Sequence, residues 1–182
     1  MQLIILLKTF IYISMIMIVF SCQKVEKYTI AETQEYVFFI LTNSTKDSIK
    51  IVKNEKPKLF FSLDTECPLC TSYSREINKL YNNYKDDMDF YGFFPSYIFN
   101  AEKMNQFIQK NYYDMDFIID TNQILTHFLD AKVTPECFLI DKDFNIIYSG
   151  LINDWIKELS RKGQHINNHY LDDAINSYLN NL

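Results

Sequence analysis

Cys67 and Cys70, in the run Cys67-Pro68-Leu69-Cys70, are the residues whose type and spacing most directly imply chemistry. Two thiols this close can bond to each other, so a mixed disulfide made on the first can be resolved by the second. The thiolate is the reacting form. A helix N-terminus favours it, because unpaired N–H groups and the positive end of the dipole face the sulfur. The flanking sequence supplies that setting. Leu59 to Leu63 reads as a buried strand, and after Thr71 the residues Tyr73, Ile77, Leu80, Tyr81 and Tyr84 recur three or four apart, as on one helix face. Pro68 suits the first helical turn, where its missing N–H costs nothing. Strand, turn, dithiol and helix together predict thiol–disulfide exchange.

Other chemistries find less support. Half a zinc site would need a second cysteine pair, and none exists, so no metal ligand set is assigned. Cys137 reads as a small apolar residue in a core strand. His127 reads as a surface or half-buried residue of a short helix. His165 and His169, four apart, could share a helix face and hold a metal, but solvated residues at a helix start fit better. With 3 glycines there is no glycine-rich phosphate cradle. A net charge of -5 without a basic block argues against nucleic-acid partners.

Residues 1–21 read as a targeting element. Leu3 to Phe20 is apolar apart from Lys8, Thr9 and Ser14, and it ends in Ser21-Cys22. A short apolar segment, a small residue and then cysteine resembles a bacterial lipoprotein signal, in which Cys22 would carry the lipid. An uncleaved membrane anchor is the other reading, since the segment is about long enough to span a bilayer. Either places the remainder outside the cytoplasmic membrane, facing the periplasm. Residues 22–35 read as a polar tether and residues 36–182 as one globular domain, consistent with 48% apolar and 16% aromatic content.

Within that domain, strands are expected at Tyr36–Leu41, Ser48–Lys53, Lys58–Leu63, Met88–Phe94, Phe117–Ile119, Cys137–Ile140 and Asn145–Ser149. Helices are expected after the dithiol, over Asn100–Asn111 with Asn100 as its cap, around Ile124–Leu129, and over the terminal segment carrying Leu171, Ala174, Ile175, Tyr178 and Leu179. The alternation predicts an α/β fold, a three-layer α/β/α sandwich whose central sheet is mostly parallel with antiparallel hairpins. Trp155 is expected to pack against the sheet.

This order of parts resembles the thioredoxin superfamily, and within it the membrane-anchored redoxins of the AhpC/TSA and TlpA group. The resemblance rests on Cys67-Pro68-Leu69-Cys70 after the central strand, an extra strand and helix, Thr134-Pro135 before the next strand, and the hairpin Phe138–Ser149 followed by a terminal helix. The stretch Tyr148 to Asp154 also resembles the end of redoxin domains. The resemblance implies that Cys67 is the nucleophile and Cys70 the resolving thiol. It implies that Pro135 is a cis-proline facing them and that Thr134 offers its backbone to an extended substrate. Partners would be protein disulfides or dithiols and an upstream electron donor, with no cofactor beyond the redox-active Cys67-Cys70 disulfide.

The chain departs from the family at Glu66, where an aromatic residue is usual, and at Phe61, where thioredoxin has a buried acid. Phe60 and Asp64 stand where peroxiredoxins need proline and threonine, which disfavours peroxidase chemistry. Asp64 and Glu66, if close to Cys67, would oppose its thiolate and make the couple a reductant. A copper-handling module on the same fold is the rival expectation.

Overall fold

Alternate residues of a strand face opposite ways, so a strand that is apolar throughout needs a core on each side. The strand Lys58–Ser62 is buried along its whole length. In the computed structural model, described over residues 36–42, 45–51, 53–98, 100–158, 161–162 and 165–181, it lies near the middle of a seven-stranded sheet. The strands are β1 (Tyr36–Thr42), β2 (Thr45–Ile51), β3 (Lys58–Ser62), β4 (Asp89–Phe94), β5 (Asp116–Ile119), β6 (Glu136–Ile140) and β7 (Ile146–Gly150), ordered β2-β1-β5-β4-β3-β6-β7. The helices are α1 (Pro68–Tyr84), α2 (Ala101–Lys110), α3 (Ile124–Leu129) and α4 (Tyr170–Leu179).

Leu59 and Phe61 face one core with Cys70, Tyr73, Ile77 and Leu80 of α1, Met104 and Phe107 of α2, and Leu171 and Ile175 of α4. Phe60 faces the other core with Phe93, Phe138 and Leu125 and Leu129 of α3. The expected three layers are therefore present, with three helices on one face and one on the other. The sheet direction is a correction. Parallel pairing is confined to β3-β4 and β4-β5, whereas β3-β6, β6-β7, β1-β2 and β1-β5 run antiparallel, so the sheet is mixed and not mostly parallel.

Two helices carry their start signals in the sequence. Asn100 accepts a hydrogen bond from the Lys103 N–H at 3.0 Å, and Pro68 opens α1. Four buried residues of α1, spaced three or four apart, press that helix on the sheet, the burial of Ile77 and of Leu80 worth about 1.5–3 kcal/mol each. At its far end the Tyr84 hydroxyl donates to Asp172 Oδ1 at 2.6 Å, joining α1 to α4. Trp155 packs against the core that lies between the sheet and α1, and meets Tyr73 of α1 edge-on at 5.8 Å. A small hairpin, β8 (Ile156–Glu158) with β9 (Arg161–Lys162), was not foreseen. The expected targeting element, the expected tether and Cys22 lie outside the described residues.

Candidate active site

The dithiol hangs from the end of β3. The Leu63 N–H donates to Phe93 O at 2.9 Å, extending the pairing with β4 by one residue, and the chain then turns. Asp64 shapes the turn: its Oδ1 accepts from the Glu66 N–H at 2.7 Å, and its carbonyl accepts from the Cys67 N–H at 3.3 Å. Cys67 is the N-cap residue of α1 and Cys70 lies one turn in.

The two sulfurs have different surroundings. Cys67 is half-buried, and its Sγ donates to the backbone oxygen of Thr134 at 3.3 Å. It takes no capping hydrogen bond from α1. The helix mouth is in place as expected, then, while the direct N–H contact to the first sulfur is not. Cys70 is fully buried and its Sγ accepts from the Asp64 N–H at 3.4 Å. Burial pushes the Cys70 thiol well up, the Asp64 N–H opposes, the adjacent Cys67 sulfur adds to the rise, and the Thr134 side chain opposes. Such a pair has one accessible sulfur and one sheltered beside it.

Thr134 and Pro135 come to the dithiol from the strand on the other side. Their peptide bond is cis, Pro135 is buried and Thr134 is half-buried. Below them Glu136 Oε2 accepts from the N–H groups of Lys132 and Val133, at 2.8 and 3.3 Å, which fixes the loop that presents the Thr134 carbonyl. Sequence reading gave Glu136 no role; its signal is a carboxylate three and four residues after two loop N–H groups. A cleft of about 230 Å³ opens beside the Cys67 turn, with Asp64, Glu66, Ile98 and Met104 in its wall.

Glu66 behaves differently from the expectation. Its carboxylate pairs with Lys103 at 2.6 Å, and that hydrogen bond and charge hold it below the usual carboxylate range. Lys103 compensates the negative charge beside the dithiol, so Glu66 cannot be counted simply as a repeller of the thiolate. Phe61 is buried in the core below, opposite Cys137 of β6. Cys137 is fully buried and donates to Gly150 O at 3.1 Å, and burial raises its thiol far up; it is the core residue the sequence implied. His127 is exposed, and His165 and His169 precede α4 and do not share a helix face. Among the described residues no three His, Cys, Asp or Glu side chains form a group able to hold a metal.

The Redoxin family profile matches residues 37–160. The chain belongs to the Redoxin family. With its dithiol in place, this redoxin is a thioredoxin-like oxidoreductase. No curated protein matches its sequence. Its structure is similar to that of an uncharacterized conserved protein from Geobacillus kaustophilus, with TM-score 0.67, 18% identity and 81% of each chain covered. It is similar to a thiol-disulfide oxidoreductase from Bacteroides fragilis, with TM-score 0.55 and 14% identity over 66% of this chain and 93% of that one. It is also similar to a secreted Mycobacterium tuberculosis disulfide oxidoreductase homologous to E. coli DsbE, with TM-score 0.53 and 12% identity over 62% and 80%. The shared fold is thioredoxin-like α/β.

Proposed function

We propose that this redoxin is a lipid-anchored thiol:disulfide oxidoreductase facing the periplasm, and that it reduces disulfides of partner proteins. Cys67 is the nucleophile, Cys70 the resolving thiol, and Thr134 with Pro135 the backbone contact for an extended partner segment. The observation that carries this reading is the unequal pair of sulfurs at the mouth of α1, one accessible against the Thr134 carbonyl and one buried behind it.

The reaction balances without any cofactor beyond the dithiol. The Cys67 thiolate attacks one sulfur of the partner disulfide; that bond breaks, and the partner's other sulfur leaves as a thiolate and takes a proton. Cys70, losing its proton, attacks Cys67 Sγ. The Cys67–Cys70 disulfide forms and the partner's second thiol is released. Two electrons and two protons have passed to the partner, and an upstream dithiol donor restores the redoxin.

Direction is argued from what surrounds Cys67. Strong oxidants reward the thiolate of the reduced form. Here the neighbour of the sulfur is a carbonyl oxygen, which offers a thiolate no hydrogen bond, and α1 supplies none. That contact supports a reductant without any repulsion from Glu66, which Lys103 compensates. Export is supported by the Ser21-Cys22 ending and by the secreted Mycobacterium tuberculosis neighbour. Among the described residues no helix is long and apolar enough to cross a membrane.

Equilibration of the purified domain in glutathione buffers, read by alkylation and mass, tests the direction. The potential is expected well below the roughly -120 mV of strong periplasmic oxidants; a value near that figure reverses the direction. Labelled palmitate incorporated by the full chain and lost in Cys22→Ser supports the anchor, whereas equal labelling of both chains refutes it.

A further inference from the structure

Three chain segments meet at one end of the sheet, because Ser62 at the end of β3 is in register with Phe93 of β4 and with Glu136 of β6. The Cys67 turn leaves β3 there, residues 95–98 leave β4, and residues 133–134 lead into β6. The segment after β4 is tied down. Ser96 Oγ accepts from the Ile98 N–H at 3.2 Å and donates to Ile98 O at 3.0 Å, and the Tyr97 hydroxyl donates to Gln123 Oε1 at 2.6 Å. This fixed turn holds Ile98 80% exposed. Val133 is 58% exposed and precedes Thr134, whose carbonyl meets the Cys67 sulfur. Since β3 lies between β4 and β6, exposed apolar residues stand on either side of the strand that carries the dithiol.

A lone exposed isoleucine is ordinary on a protein surface. Ile98 differs in its place, because it lines the cleft of about 230 Å³ that reaches Glu66, the residue before Cys67. The other apolar lining comes from the buried Leu63, Phe94 and Met104. Polar groups stand around it: Glu66 pairs with Lys103 at 2.6 Å, joining the Cys67 turn to the first turn of α2, and Asp64 lies in the same wall. Two carboxylates against one ammonium make that wall unwelcoming to an acidic side chain. An apolar hollow with a polar rim is the form of a site for one apolar side chain.

We propose that this cleft seats an uncharged apolar side chain adjoining the cysteine of the partner segment, and that Ile98 sets the preference. This rests on the redox reading above. A segment whose sulfur reaches Cys67 while its backbone lies on Thr134 must carry its neighbouring side chains past the cleft, which begins one residue before Cys67. In such strand-like recognition the main chain supplies affinity and pockets for side chains supply specificity. Covering Ile98 removes its apolar surface from water, a gain that a serine or an aspartate at the same place cannot match.

The test uses mixed disulfides of glutathione with a short peptide that carries leucine, serine or aspartate beside its cysteine, before it in one set and after it in another. The reduced protein is mixed with each, and the rate of Cys67–Cys70 disulfide formation is read by alkylation and mass. At one of the two positions the parent should react about tenfold faster with leucine than with serine, and more slowly with aspartate than with serine. Ile98→Ser should lower the leucine-to-serine ratio to about threefold or less. Ile146→Ser is the control and should keep the parent's ratio, because Ile146 is also an exposed isoleucine but pairs with Ile140, at the opposite end of the sheet. No leucine preference at either position, the parent's ratio retained in Ile98→Ser, an equal drop in Ile146→Ser, or aspartate as the fastest substrate overturns the proposal. So does a dimer in size-exclusion chromatography that Ile98→Ser dissociates, which would assign the cleft to a second copy. A parent that forms no Cys67–Cys70 disulfide with any of the peptides refutes the dithiol reading, and the cleft assignment with it.

Discussion

The sulfur of Cys67 lies 3.3 Å from the backbone oxygen of Thr134, 67 residues later in the chain. The contact joins the start of α1 to the loop before β6. A partner strand seated on that loop would bring its own sulfur to Cys67, which makes the loop's rigidity matter. Glu136 supplies that rigidity through two N–H groups. Glu136→Ala should therefore raise KM for a partner disulfide roughly threefold, with a smaller change in kcat, the range expected for losing one such hydrogen-bonded group. Steady-state reduction of a disulfide-bearing peptide checks this; an unchanged KM means the loop holds without Glu136.

Cys70 and Cys137 are both buried, and burial raises both thiols above the ordinary value of 9.0. In the unfolded chain they lose their protons near that value; in the folded chain they keep them. Above it the unfolded state binds fewer protons, so stability of the reduced protein is full below about pH 9 and falls as pH rises, by at most roughly 1.4 kcal/mol per pH unit for each thiol. Tyr91, held up to about 12 chiefly by burial, adds with the same sign at higher pH. Urea unfolding of the reduced protein should show this decline, and Cys137→Val should lessen it. A midpoint indifferent to alkali would contradict the burial argument.

The Glu66–Lys103 pair is exposed, so its influence on Cys67 should be small and sensitive to salt. Lys103→Ala should slow alkylation of Cys67 by less than about threefold at low ionic strength, and roughly 0.5 M salt should erase the difference. Glu66→Gln should act in the opposite sense. Alkylation rates followed by mass spectrometry decide it; a salt-independent effect would point to a structural role for Lys103.

Much of this site was legible because its signals are local. The dithiol, Pro68 at the first turn and Asn100 as a cap each depend on a few neighbouring residues, and all fall in place. Thr134-Pro135 was found by family likeness. Strand direction was not legible: Cys137 to Ile140 is buried throughout, as β3 is, and an apolar run reads the same in a parallel or an antiparallel setting. Glu66 and Lys103 are 37 residues apart, and nothing local says they meet. The β8–β9 hairpin has strands of three and two residues, too short for a periodic signal.

Gly92 falls inside the expected strand Met88–Phe94, and the structure gives it a specific reason. A Cβ there would collide with the Phe117 ring, which lies across it from β5. Gly92→Ala should destabilise by about 1–3 kcal/mol through overpacking, and Gly92→Ala with Phe117→Leu should recover part of the loss. Chemical denaturation of the single and double variants measures the coupling. Strictly additive losses would mean the ring is not the obstacle.

The division of labour between the two sulfurs is tested most directly by loading the Cys70→Ser variant with a disulfide-bonded peptide and locating the adduct by mass spectrometry. The account predicts a stable, reductant-sensitive mixed disulfide on Cys67, no adduct on Cys137, none in Cys67→Ser, and turnover lowered by at least about 10² in both variants. A peptide attached to Cys137, or a Cys67→Ser protein that still captures the peptide through Cys70, would contradict it.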